Sequence, residues 1–295
     1  MKKLLIPILI VINVNTMQAQ TIDSLKDKID SIFNSLAGDF AVAFKMLDEK
    51  EESIFINERM IFHAASTMKT PVMIEVFKQA AENKFNLDDS IVIKNEFNSI
   101  VDSSEYSLDL SDDSGEELYS FIGQKKTIRD LVFDMITVSS NLATNILIEL
   151  VGAKNVTQTM RSIGANDILV LRGVEDGKAY QLGLNNLVTA YDLMLIYESL
   201  VKNEFLTDNF TTEMINILLQ QKHRSRIPAK LPVEVKVAHK TGSITGVGHD
   251  SGIIFLPDGR KYVLVLLSKN VKDEKAVIEA QSEVSRIIYD YVVSN

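Results

Sequence analysis

The sequence predicts an α+β protein: an antiparallel sheet of about five strands, flanked by N- and C-terminal helices, plus an all-helical lobe. Three observations carry this. Strand patterns occur only near the two ends of the chain, helical periodicity fills the middle, and a helical pattern lies outside the strands at each end. Strands at both ends with helices between them imply that the termini meet in one sheet while the middle packs as a separate layer.

In order, Thr21 to Leu36 places Ile22, Leu25, Ile29, Ile32, Phe33 and Leu36 at spacings of three and four, an amphipathic helix. Phe40 to Leu47 and Ser53 to Ile56 read as two strands joined across Asp48-Glu49-Lys50. From Ser66 to about Tyr197 the pattern is helical, with segments to about Asn83, over Ile128 to Met135 and over Asn141 to Val151. Val235 to Lys240, Gly252 to Leu256 and Tyr262 to Leu267 read as strands, the last two linked by the turn Pro257-Asp258-Gly259-Arg260. A helix over about Asp273 to Val292 closes the chain. The sheet lobe is thus assigned to about 21–60 and 205–295, and the helical lobe to about 61–204 of a single domain spanning 21–295.

Composition narrows the function. The 295 residues are 46% apolar and 24% charged, enough for a sizeable core. A net charge of −9 with no basic stripe argues against a nucleic-acid surface. With no Cys, thiol catalysis, disulfides and thiolate metal sites are excluded. His63, His223, His239 and His249 show no paired ligand spacing, so no metal or other cofactor is expected.

Lys2 and Lys3 precede an apolar run from Leu4 to Val14 and then a small, polar stretch to Gln20, the layout of a secretory signal over residues 1–20. The run is shorter than the ~20 residues needed to span a bilayer. The expectation is a periplasmic or secreted monomer without a membrane anchor after cleavage.

Between Asn95 and Gln124 lie Glu96, Asp102, Glu105, Asp109, Asp112, Asp113, Glu116 and Glu117, with no Lys or Arg. An EF-hand spacing is absent, and the reading is a solvated loop or short helix on the rim of the helical lobe.

Three short motifs carry chemistry. In Ser66-Thr67-Met68-Lys69, followed by Pro71, the serine should sit at a helix N-terminus, with Lys69 on the same face and able to reach its hydroxyl and accept its proton. Ser139-Ser140-Asn141 opens a helix, where Ser and Asn also serve simply as caps. Lys240-Thr241-Gly242-Ser243 ends a strand-like run, and a lysine, a hydroxyl and a glycine there make a site for a substrate carboxylate. Taken singly the first two are weak, since a Ser and Lys so spaced arise roughly once by chance in such a chain, whereas Lys-Thr-Gly arises by accident only about once in twenty such chains.

The order and context of the three are specific: SxxK at a helix start, SxN in a loop, KTG at a strand end. In these the chain resembles the serine penicillin-recognising hydrolases, and within them the class A β-lactamases, over nearly its whole mature length. The resemblance implies a β-lactamase-like fold and a β-lactam substrate. It implies Ser66 as nucleophile, Lys69 as base or relay, and Ser139 as proton donor to the leaving nitrogen. Asn141 would bind the substrate's side-chain amide, Lys240, Thr241 and Ser243 its carboxylate, and the N–H groups of Ser66 and Ser243 its oxyanion. Glu175, 36 residues after Ser139, would be the base that activates the deacylating water.

Two positions depart from the family pattern. Ser140 stands where the family has an aspartate, and in Glu175-Asp176-Gly177-Lys178-Ala179 the water-positioning asparagine of E-x-x-L-N is replaced by Ala179. Asn185 or Asn186 is the candidate substitute, and Arg172 the candidate anchor of the loop through an ion pair to Asp176 or another carboxylate. Arg224 and Arg226 read as surface residues, with added positive charge near Lys240 as the alternative. A D-Ala-D-Ala peptidase or esterase using the same serine, or a non-hydrolysing penicillin-binding sensor, are the rival functions.

Overall fold

The computed structural model describes residues 21–295 apart from Lys50 and Phe205, so the segment read as a secretory signal lies outside the described residues. Helix α1 (Ile22–Asn34) starts where the Thr21 hydroxyl accepts from the Ser24 N–H, and buries Leu25, Ile29 and Phe33. Strands β1 (Asp39–Met46) and β2 (Ser53–Ile56) form a hairpin. They join β3 (Lys236–Ile244), β4 (Val247–Phe255) and β5 (Lys261–Lys269) in one antiparallel sheet of order β2-β1-β5-β4-β3. The last helix, here labelled α9 (Glu274–Ser294), is capped by Asp273 and packs beside α1.

Alternation along the strands divides the core in two. Phe40, Val42, Phe44 and Met46 of β1, with Tyr262, Leu264 and Leu266 of β5, face α1 and α9. Ala41 and Ala43, with Val263, Val265 and Leu267, face the helices of the middle segment. This period of two is what a sheet covered on both faces requires. Each large apolar side chain so buried contributes on the order of 1.5–3 kcal/mol against leaving it in water.

The helices of the second layer are α2 (Lys69–Ala81), α3 (Ile128–Thr137), α4 (Asn141–Val151), α5 (Ala153–Ser162), the short α6 (Gly177–Gln181), α7 (Ala190–Val201) and α8 (Asp208–Leu218). This layer also carries short two-stranded ribbons, such as Ser90–Val92 with Lys125–Thr127. Helix α2 is apolar nearly all round: Val72, Met73, Ile74, Val76 and Phe77 are buried, as expected of a helix through the middle of a core.

Two strand boundaries differ from the sequence reading. β3 runs to Ile244 and β4 starts at Val247, joined by a tight turn in which Gly246 takes φ +75°. The Lys240-Thr241-Gly242-Ser243 motif therefore lies inside a strand rather than at its end. Apolar residues stop at Ala238 because Thr241, Gly242 and Ser243 line the cleft between sheet and helices, while His239 and Lys240 are buried polar residues with polar partners.

Candidate active site

A 3₁₀ turn, Ala65–Met68, leads directly into α2 and carries Ser66. Ala65 is held at φ +44°, a conformation that costs a residue with a Cβ of order 1–3 kcal/mol and that persists only where the surroundings enforce it. β3 supplies that enforcement. A Cβ on Gly242 would come within 3.0 Å of the Ser66 nitrogen and 3.1 Å of the Thr67 nitrogen, tighter than an ordinary Cβ contact, so glycine lets the strand lie this close to the turn without displacing it. Ser66, Thr241, Gly242 and Ser243 consequently line one cavity, with Ser139 and Asn141 on its far wall. Its volume is about 230 Å³. An adjoining compartment of about 700 Å³ shares Ser66, Asn141 and Ser243 and is also lined by Glu175, Arg172 and Tyr180.

Lys69 lies one helical turn below Ser66 and is wholly buried. Its Nζ donates to the Ser139 carbonyl at 2.7 Å, the Asn141 Oδ1 at 2.8 Å and the Ser139 hydroxyl at 3.2 Å. The expected hydrogen bond from Lys69 to the Ser66 hydroxyl is not among the contacts of the described residues; the amine is aimed at the Ser139 loop instead. Burial pulls its pKa down from 10.5 to about 7, against the opposing pull of the Asp113 and Glu175 carboxylates. Lys240, equally buried, donates to the same Ser139 hydroxyl at 2.9 Å and to the Thr241 carbonyl at 3.0 Å. Its pKa is also depressed, by burial first and by the nearby Lys69 charge second.

Ser139 has φ +63° and Glu175 φ +60°, so three of the site's residues sit in the left-handed region. Glu175 reaches the cleft from the loop between α5 and α6. Its Oε1 accepts from Asn141 Nδ2 at 2.7 Å. Asn141 thereby bridges Lys69 and Glu175 with the two ends of one amide. Partial burial raises the Glu175 pKa, partly offset by that hydrogen bond.

The loop is fixed differently from the sequence expectation. Arg172 makes no ion pair with Asp176 among the described residues. Its guanidinium donates to the Leu184 and Gly173 carbonyls and to Asn185 Oδ1. Asp176 instead accepts from Ser99, the Ile100 N–H and the Ala179 N–H. The Asn186 side chain is committed largely to the loop backbone: it accepts from the Leu171 and Arg172 N–H groups and donates to the Arg172 carbonyl. A backbone held by three such bonds explains why a buried asparagine stands there.

Four groups escaped the sequence reading or were read otherwise. Asn145 clamps the Val174 backbone in both directions, at 2.7 and 3.0 Å; a polar residue inside the apolar run of α4 was its one visible signal. Arg226 is buried, not a surface residue, with its guanidinium 2.7 Å from Gln281 Oε1 and 3.3 Å from the Ser243 hydroxyl, so it adds positive charge beside Ser243. Arg224 is exposed. His239 and Asp250, both fully buried and 2.8 Å apart, pair on the sheet face away from Lys240. Asp113 is buried although its seven acidic neighbours in the stretch are exposed, which corrects the solvated-rim reading for that residue.

The arrangement suits acyl transfer. It presents a hydroxyl at a helix start with β3 packed close against its backbone, two amines around a second hydroxyl, and a carboxylate lining the adjoining compartment.

The model of the beta-lactamase enzyme family matches residues 24–292. A beta-lactamase from Bacteroides uniformis is 26% identical over 292 residues, covering 93% of each chain. Among solved structures, a beta-lactamase from Sphaerobacter thermophilus superposes with a TM-score of 0.79 at 26% identity, over 92% of this chain and 98% of the other. PBP-A does so with a TM-score of 0.79 at 22% identity, over 93% and 97%.

Proposed function

Because the chain belongs to the beta-lactamase enzyme family, a family of hydrolases, we propose that it is a serine β-lactamase of class A type that opens the β-lactam amide through an acyl-enzyme on Ser66. The observation that carries this reading is the meeting of three distant parts of the chain: Ser66 and Ser139 line one cavity, the buried Lys240 amine donates to the Ser139 hydroxyl, and Glu175 lines the adjoining compartment that shares Ser66.

In acylation, the Ser66 oxygen bonds to the lactam carbonyl carbon while its proton passes to the neutral amine of Lys69. The oxyanion is stabilised by the N–H groups of Ser66 and Ser243, preorganised donors that meet charge developing in the transition state. The C–N bond breaks, and the nitrogen takes a proton from the Ser139 hydroxyl, which the Lys69 and Lys240 amines flank and resupply. Lys240, Thr241, Ser243 and Arg226 hold the substrate carboxylate, and Asn141 its side-chain amide. In deacylation, Glu175 removes a proton from water as the water oxygen attacks the ester carbon; the Ser66 oxygen leaves and regains its proton. Export is part of the same reading, since the substrate class acts outside the cytoplasm and residues 1–20 have the layout of a signal.

Ala179 favours a second reading at this site. No amide stands at that position and Asn185 and Asn186 are engaged by the loop, so an enzyme that acylates readily and deacylates slowly, such as a D-Ala-D-Ala peptidase or esterase, uses the same residues. A PBP-A variant has been captured as an acyl-enzyme complex with penicillin G.

Intact-protein mass spectrometry over time with a penicillin and a cephalosporin separates the two. A transient adduct, absent in Ser66→Ala, with accumulation of drug plus one water supports the β-lactamase. A stable stoichiometric adduct favours the peptidase, and no adduct with either drug overturns both.

A further inference from the structure

Helix α4 begins at the residues that hold Lys69, and its first N–H groups need acceptors. The Ser140 hydroxyl caps only one of them, the Ala143 N–H at 3.2 Å. The rest is done from outside the helix. The Asp113 carboxylate accepts the Asn141 N–H with both oxygens at 2.9 Å and the Leu142 N–H at 2.9 Å, and faces the Ser140 hydroxyl at 3.4 Å. It is itself held by the Gly115 N–H at 2.8 Å and the Tyr119 hydroxyl at 3.2 Å. The side chain is 3% exposed, and the site cavities are lined by its neighbours Asp112 and Ser114 instead.

The packing excludes a second acid there. A Cβ on Gly115 would fall 2.4 Å from the Ser140 Cβ, so the chain carrying Asp113 lies directly against position 140. A carboxylate at 140 would meet Asp113 at hydrogen-bond distance in a water-poor space, where two like charges cannot both persist.

We propose that Asp113 is a positioning residue for the Ser139–Asn141 segment: its carboxylate, delivered from the acidic stretch, does at the start of α4 what an aspartate at position 140 would do. It touches neither substrate nor Ser66. It acts by fixing the Asn141 backbone, and so the Asn141 amide and the Ser139 carbonyl that hold Lys69. This gives the acidic stretch a purpose that its composition conceals.

The inference deepens the proposed hydrolase mechanism, and its test works without it. The charged or titratable groups facing Lys69 are Asp113, Glu175 from the loop before α6, Lys240 from β3 and His223 from the loop after α8. Removing the Asp113 charge leaves the others in place and lowers the Lys69 pKa. The rate of Ser66 modification is measured against pH with penicillin and, separately, with a serine-directed fluorophosphonate. D113N and S140D each slow modification by about 10- to 100-fold, the range of a ~1 Å misplacement. D113N in addition moves the acid limb to lower pH. The double variant D113N/S140D, which relocates the carboxylate, recovers to within about threefold of the parent, strong coupling between touching residues.

Should D113N not fold, Tyr119→Phe, which removes one support of the carboxylate, gives a smaller loss in the same direction. A D113N protein with parental rate and midpoint, a double variant slowed by the product of the single effects, or a Tyr119→Phe protein with the parental rate overturns the proposal. Failure of penicillin alone, with the fluorophosphonate series as described, overturns the β-lactam reading and leaves Asp113 its role.

Discussion

Lys69 and Lys240 share one acceptor: their Nζ atoms lie 3.2 and 2.9 Å from the Ser139 hydroxyl, with both side chains fully buried. Burial penalises both charges first, and the Lys69 charge lowers Lys240 further, while the Asp113 and Glu175 carboxylates pull Lys69 the other way. The physical outcome is an amine at Lys69 poised near neutrality, where a general base works best.

Acylation should therefore depend on pH through Lys69. The base must be neutral to take the Ser66 proton, so the rate is low where Lys69 is protonated and rises as pH passes its value of about 7. The pH profile of kcat/KM on nitrocefin checks this, and a flat profile between pH 5 and 9 counts against the assignment. Lys69→Arg, which stays charged throughout, should lose about 10²–10⁴-fold.

Glu175 is a carboxylate with a raised pKa across the cleft from Ser66. Glu175→Gln should leave Ser66 acylation within a few fold and slow deacylation by about 10²–10⁴-fold, so the adduct accumulates in intact mass spectra. Wild-type turnover in this variant would show that another group activates the water.

Gly242→Ala places a methyl 3.0 Å from the Ser66 nitrogen and 3.1 Å from the Thr67 nitrogen. β3 or the turn must then give by a few tenths of an ångström, widening the spacing between the two proposed oxyanion donors. Losing one such donor costs about 10²–10³-fold in kcat. Stopped-flow acylation should fall by that order; an unchanged rate would mean that the strand is not held against the nucleophile.

Asn186→Ala removes three hydrogen bonds to the backbone of Leu171 and Arg172. At about 1 kcal/mol net each, with an added cost for buried groups left unpaired, the loss is on the order of 3 kcal/mol. Thermal unfolding should show a lowered Tm together with slower deacylation, because the same loop carries Glu175. Slower deacylation at unchanged Tm would instead make Asn186 a direct ligand of the water.

The sequence by itself determined the α+β class, the strand and helix order, and the helix starting near Ser66, because apolar periodicity and caps are local properties. That Ser66-Thr67-Met68-Lys69, Ser139-Ser140-Asn141 and Lys240-Thr241-Gly242-Ser243 belong to one site was implied by the resemblance that their order carries. Tertiary structure alone decided the rest. Asp113 reaches Asn141 across 28 positions, Lys240 reaches Ser139 across 101, and Arg226 turns inward to Ser243 and Gln281. An aspartate among exposed acids, or an arginine in a polar loop, has no periodic signature of burial. Its neighbours are set by how distant segments pack, and from them come both its charge state and its use.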